Sequence, residues 1–216
     1  MVTSPTKRAL SHEGNIATLK RKKCAQQFMM FAGLWRDYMS AAPDFLRNSG
    51  ISDRNTMVLR DPYDTFYERG VSSDISSSEL LTEWIYNYLR KAPHIREAYT
   101  VGNSAGAYAA IYFGCKLGVD EVFAFAPSGL NRLTILMDAI EQAPSHTKIN
   151  VFYDTRHERD TYFATQLGQS DRVKLVPSPE DEPDGHWVMI RKLERNQLRD
   201  IFPPYRAVDS APASGG

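Results

Sequence analysis

Two cysteines among 216 residues, Cys24 and Cys115, exclude a disulfide framework, and they form no C-x-x-C pair. Both read as small core or boundary residues of a protein kept in a reducing compartment. No apolar run approaches the roughly 20 residues of a membrane-crossing helix. The first two dozen residues lack the apolar core of a secretory signal. These absences lead to the expectation of a cytoplasmic protein with no membrane partner. Net charge is missing as well, since 26 Lys+Arg face 26 Asp+Glu. That balance offers no electrostatic footprint for nucleic acid. No internal repeat points to a solenoid or propeller.

What is present suits one globular domain. A hydrophobic content of 42% in a chain of this length is enough for a sizeable core. Residues 1–14 are polar and charged and read as a flexible segment. Residues 204–216 are rich in Pro, Ala, Ser and Gly and read as a disordered tail. The domain is therefore expected over 15–203, with oligomeric state left open.

Short apolar runs alternate with amphipathic segments along that domain. Strands are predicted at 26–32, 56–59, 97–101, 121–126, 148–153 and 172–176, with an additional edge strand at 16–20. Helices are predicted at 77–90, where Leu80, Leu81, Trp84, Ile85, Tyr88 and Leu89 recur at helical spacing, and at 105–117, 130–143, 161–167 and 186–201. Apolar strands alternating with helices imply an α/β fold, a mostly parallel central sheet with helices on both faces. Ligands of such sheets bind beyond the carboxyl ends of the strands.

At one of those ends stands Gly102-Asn103-Ser104-Ala105-Gly106. The G-x-S-x-G pattern alone is weak, because a chain this long matches it by chance on the order of one time in fifteen. Its context is stronger, with a strand before it and an alanine-rich helix after. A serine on a tight strand-to-helix turn has its hydroxyl pushed clear of the sheet. It still needs a base, and the base needs an orienting partner. Of five histidines, His94 and His146 precede strands and His12 lies in the polar N-terminal segment. His157 and His186 follow strands, and His186, after the last one, is placed first as the base. The acid is sought after the 148–153 strand. Asp160, read as a helix N-cap with reach toward the histidine, is placed ahead of Asp154, with Glu158 third. Donors for a developing oxyanion are expected at the N–H groups of Ala105 and Leu34.

Together the elbow, the strand end Phe31-Ala32-Gly33-Leu34, the acid loop and Gly185-His186, in the order Ser, Asp, His, resemble the α/β-hydrolase superfamily over residues 25–203. The resemblance implies a serine hydrolase or acyltransferase working through an acyl-enzyme on Ser104, with Asp160 and His186, and with no metal and no cofactor. Arg60–Gly70 and Phe125-Ala126-Pro127-Ser128 resemble a small bacterial branch of that superfamily. The 60–70 loop follows a strand, so Asp61, Tyr63, Phe66 and Tyr67 are expected to line a pocket, with Asp61 and Tyr67 placed as the substrate-binding pair. The competing reading is a structural turn with aromatics packed beneath it. One helix between the 121–126 and 148–153 strands leaves minimal room for a cap, so an open pocket for a small-molecule or carrier-bound acyl group is expected. A thioesterase or esterase, a transferase with the same acyl-enzyme, and a non-catalytic binding protein of the same fold are the functional alternatives. The missing Lys-Ser/Thr and the absence of a G-x-G-x-x-G spacing argue against a phosphate-cradling glycine loop.

Overall fold

The computed structural model describes residues 11–33, 42–178 and 185–208. Eight strands form one sheet in the order β1-β2-β4-β3-β5-β6-β7-β8. They are β1 (Ser11–Glu13), β2 (Ile16–Leu19), β3 (Gln26–Phe31), β4 (Asn55–Leu59), β5 (Glu97–Asn103), β6 (Glu121–Phe125), β7 (Lys148–Tyr153) and β8 (Val173–Pro177). β1 and β2 run antiparallel at one edge, and β3 to β8 are parallel to one another. The helices are α1 (Ala42–Asn48), α2 (Ser78–Arg90), α3 (Ala105–Leu117), α4 (Leu133–Gln142), α5 (Glu158–Leu167), α6 (Val188–Glu194) and α7 (Leu198–Ile201).

Alternation along the strands sorts the core into two layers. Met29, Phe31, Met57, Leu59, Val122, Ala124, Ile149 and Val151 point to one side, where α2, α3, α4 and α5 cover them. Phe28, Met30, Val58, Tyr99, Val101, Phe123, Phe125 and Phe152 point to the other, under α1, α6 and α7. This is why the strands read as continuous apolar runs: both faces are buried. Both cysteines are free and buried, and burial pushes the Cys115 thiol up to about 12, which leaves it inert.

Sequence order and sheet order part company between β3 and β5. The chain leaves β3 through α1 to β4 on one side, then crosses by α2 to β5 on the other. The crevice at the carboxyl ends of β3 and β5 is thus the switch point of the sheet, where open α/β sheets take ligands. Between β6 and β7 there is a single 3-10 turn (Leu130–Arg132) and α4, with no cap above the sheet.

Some boundaries differ from expectation. Ser11–Glu13, inside the segment read as flexible, pairs with β2 through a turn at Gly14. Residues 204–208, read as tail, are held by polar contacts that hydropathy does not register. Gln26 donates to the Pro204 carbonyl (2.9 Å), the Arg206 N–H donates to Gln26 Oε1 (3.0 Å), and the Arg206 guanidinium pairs with Glu97. Helix α1 was not foreseen. The expected 186–201 helix is three pieces: a 3-10 turn at Gly185–Trp187, then α6, then α7. Asn196 at φ 58° ends α6, and the Gln197 N–H returns to the Lys192 carbonyl (2.8 Å), a Schellman closure.

Helix α3 sits closer to the sheet than a side chain allows. A Cβ on Gly106 would lie 2.2 Å from the Phe31 carbonyl oxygen, and one on Gly102 would lie 2.0 Å from the Gly106 oxygen. Both obstacles are backbone, which cannot swing aside. Gly106→Ala should therefore cost about 3 kcal/mol or more, the upper end of overpacking. The midpoint of urea unfolding against the parent chain measures it.

Candidate active site

Ser104 joins β5 to α3 with φ 57° and ψ −122°. A non-glycine residue there is strained by about 1–3 kcal/mol. Four backbone bonds hold it: its N–H donates to the Phe125 carbonyl (3.0 Å), and its own carbonyl accepts from Ala107 (3.0 Å), Tyr108 (3.2 Å) and Ser128 (3.3 Å). The strain throws the side chain out of the sheet and into the switch-point crevice.

There the hydroxyl meets His186. Ser104 Oγ lies 2.8 Å from His186 Nε2, and His186 Nδ1 lies 3.2 and 3.3 Å from the two oxygens of Asp160. His186 comes from the 3-10 turn ahead of α6 and keeps a partly exposed ring, whereas the Asp160 side chain is only 5% exposed. With the Nδ1 hydrogen donated to Asp160, Nε2 is left as an acceptor facing the serine O–H. The three residues expected together are brought together.

Asp160 arrives differently from expectation. It is not the N-cap of a helix beginning at 161. Helix α5 starts at Glu158, its N-cap is His157, and Asp160 lies in its first turn. A carboxylate there gains from the helix dipole. Asp154, the rival acid, is fully buried at the end of β7. Its Oδ1 accepts the Arg156 N–H (2.9 Å) and lies 3.5 Å from Arg156 Nε, so it shapes the turn below the histidines. His157, the rival base, does not meet the serine; its Nδ1 is 3.0 Å from Asp160 Oδ1. Sequence reasoning found the ring but not its partner, because the partner depends on where α5 begins.

Ala105 opens α3, so its N–H is among the donors that a helix cannot pair internally. Leu34, the other expected donor, lies outside the described residues. Gly33 lies two residues beyond the end of β3, whose Phe31 pairs with Gly102 of the elbow.

The expectation for Asp61 and Tyr67 is corrected, because both are buried in the loop rather than presented to the pocket. The Asp61 carboxylate accepts three backbone N–H groups, from Tyr63 (2.9 Å), Thr65 (2.7 Å) and Tyr67 (2.8 Å). Tyr67 is 1% exposed, and its hydroxyl reaches the Leu59 (2.9 Å) and Ala32 (3.1 Å) carbonyl oxygens. What the loop presents is Phe66, one of three consecutive or near neighbours at positive φ with Asp64 and Tyr67. Phe66 stands edge-on to Tyr108, and the Arg132 guanidinium lies 4.4 Å above its ring while bonding Glu68 at 2.6 Å.

Phe66 forms one wall of an open cleft of about 1010 Å³ that contains Ser104 and His186. Leu130, Tyr162 and Phe163 add apolar surface, and His157 and Arg159 add polar edges. Ser128 joins the lining with its Oγ 3.3 Å from Ser104 Oγ. The sequence singled out its tetrapeptide but gave it no role; the positive φ of Ala126 (44°), which turns the chain back over the serine, has no glycine to announce it. Among the described residues, no cluster of three or more His, Cys, Asp or Glu is placed to hold a metal ion, and no helix is long and apolar enough to cross a membrane.

No family model and no curated protein matches the sequence. Solved structures do match in shape. A CIB-like hydrolase from Thermoplasma acidophilum superposes with a TM-score of 0.57 at 16% identity, over 86% of this chain and 88% of that one. The capsule O-acetyltransferase of Neisseria meningitidis serogroup A gives 0.58 at 13% identity, over 87% and 92%. MGS-MChE2, an α/β hydrolase from a sediment metagenome of the Mar Chica lagoon, Morocco, gives 0.55 at 15% identity, over 89% and 96%. Shared architecture at such sequence distance is a statement about fold, and this chain has the α/β-hydrolase fold.

Proposed function

We propose that this chain is a serine hydrolase that cleaves an ester, thioester or amide through an acyl-enzyme on Ser104. The observation that carries the reading is the 2.8 Å contact of Ser104 Oγ with an imidazole whose other nitrogen faces a buried carboxylate. Ser104 Oγ attacks the acyl carbon while its proton passes to His186 Nε2. Asp160 stabilises the imidazolium, and the Ala105 N–H faces the carbonyl oxygen as it gains charge. The tetrahedral species collapses, the leaving group takes the proton from Nε2, and the acyl group stays on Ser104. Water then gives a proton to Nε2 and its oxygen to the acyl carbon. The carboxylic acid leaves, and Oγ recovers its proton.

The cleft supports a substrate with an apolar body. Its volume is several times that of an acetyl group, and Phe66, Leu130 and Tyr162 offer apolar and aromatic surface. Its openness admits a carrier-bound acyl group or a second substrate. That favours, as second reading, transfer of the same acyl group to an alcohol or amine. One structural neighbour is an O-acetyltransferase, and another solved form of it is a complex with CoA.

A fluorophosphonate probe tests the reading directly. Label should appear on Ser104 and vanish in Ser104→Ala. His186→Ala should slow labelling by about 10⁴-fold or more. Asp160→Asn should slow it by about 10³–10⁴-fold, and Asp154→Asn by less than about tenfold, since the Asp154 carboxylate pairs with Arg156 of its own turn. Absence of label on the wild-type serine would favour a non-catalytic binding protein. Ser128→Ala, which removes one neutral hydrogen bond beside the nucleophile, should lower kcat/KM on a short-chain ester by about 2–10-fold.

A further inference from the structure

The Asp160 carboxylate stands between two imidazoles. His186 Nδ1 lies 3.2 Å from Oδ2, and His157 Nδ1 lies 3.0 Å from Oδ1; the two rings are 5.9 Å apart. His157 Nδ1 is also 3.3 Å from the Asp160 backbone nitrogen, the capping contact of α5. One nitrogen cannot accept the backbone N–H and donate to the carboxylate at once. Without a hydrogen, Nδ1 caps the helix and leaves the carboxylate to His186. With one, it abandons the cap and draws charge from Oδ1.

We infer that His157 is a positioning residue whose protonation withdraws Asp160 from His186 and so weakens the base at Ser104. The inference rests on the reading of Ser104, His186 and Asp160 as nucleophile, base and acid. His157 is suited to the role by exposure, because its side chain is 29% exposed while that of Asp160 is 5% exposed. Protons from solvent reach the outer ring. The charged groups around it among the described residues are Asp160, Glu158 and Arg159 on α5, Asp154 and Arg156 in the turn before it, and His186 across the cleft. On the facing 128–131 segment, Ser128, Leu130 and Asn131 carry no charge, and Arg132 is bound to Glu68. Among the described residues, Asp160 is thus the carboxylate that both histidines contact.

A charged His157 beside a neutral His186 should lower the rate roughly tenfold, the weight of one pH unit of charge interaction. A charged His186 gives no general base at all. His157→Asn keeps a strong capping acceptor for the Asp160 N–H but cannot take the proton, and His157→Ser serves the same purpose if the Asn variant does not fold. The fluorophosphonate labelling rate of Ser104 against pH should follow a different profile in wild type from that in either variant, because the variants lose the His157-dependent part. In parallel, the carbon-bound ring protons of both histidines, followed by NMR in wild type, should each move in two coupled steps, and His186 in one step once His157 is replaced. Identical labelling profiles in wild type and variant, or independent single-step titration of the two rings, overturns the inference. If wild type is not labelled at all, the site reading fails, and the NMR titration still decides whether the two rings share Asp160.

Discussion

Everything at this site depends on a backbone turn that only a particular packing permits. Ser104 at φ 57° is unfavourable by itself. It persists because the bond network around it closes from three directions: β6 through Phe125, α3 through Ala107 and Tyr108, and the 126–128 turn through Ser128. That network forms only when α3 lies against the ends of β3 and β5, and the approach is possible because positions 102 and 106 carry no side chain. The glycines of the pentapeptide therefore act one step removed from chemistry. They set how near the helix comes, the nearness sets the bonds, and the bonds hold the strained conformation that aims the hydroxyl.

The carboxylate side of the site follows a different logic. Asp160 is carried on a helix whose inner face, Phe163, Ala164 and Leu167, is buried against the sheet. Its direction is inherited from that packing rather than from a mobile loop, and burial keeps solvent from competing for its oxygens. Asp154 is better buried but ties itself to the turn through Arg156. Two acids six residues apart thus divide the work, one shaping the turn and the other facing the histidines.

Much of this was legible in the residues. The parallel strands showed as uninterrupted apolar runs because both of their faces are covered, and Ser104 showed through glycines on either side at a strand end. His186 followed from chain order, and it does meet the serine. What stayed hidden depends on polar contacts or on positive φ at residues that are not glycine. Asp64, Phe66, Tyr67 and Ala126 adopt such backbone without any compositional signal, so Phe66 was legible as a pocket residue only in company with Asp61 and Tyr67, whose burial was not readable. The start of α5 was hidden because its cap is a histidine, an uncommon capping residue. The anchoring of 204–208 was hidden because Gln26, Glu97 and Arg206 do it without apolar burial.

The wall built from the 60–70 loop bears on what the cleft can discriminate. Three donated N–H groups on Asp61 fix the loop from within, and the Glu68–Arg132 pair with its guanidinium over Phe66 fixes it to the far side of the cleft. Phe66 is then a preformed surface, with little ordering entropy left to lose when a ligand packs on it. Nothing among the described residues closes over the opposite side. For an acyl group held on Ser104, water exclusion falls to the bound molecule itself: a bulky leaving group or acceptor that fills the cleft shields the ester, and a small one leaves it to hydrolysis. In an uncapped α/β-hydrolase fold of this shape, the balance between hydrolysis and transfer is a property of how well the second substrate covers Phe66, Leu130 and Tyr162, more than of the reacting residues, which serve both outcomes alike.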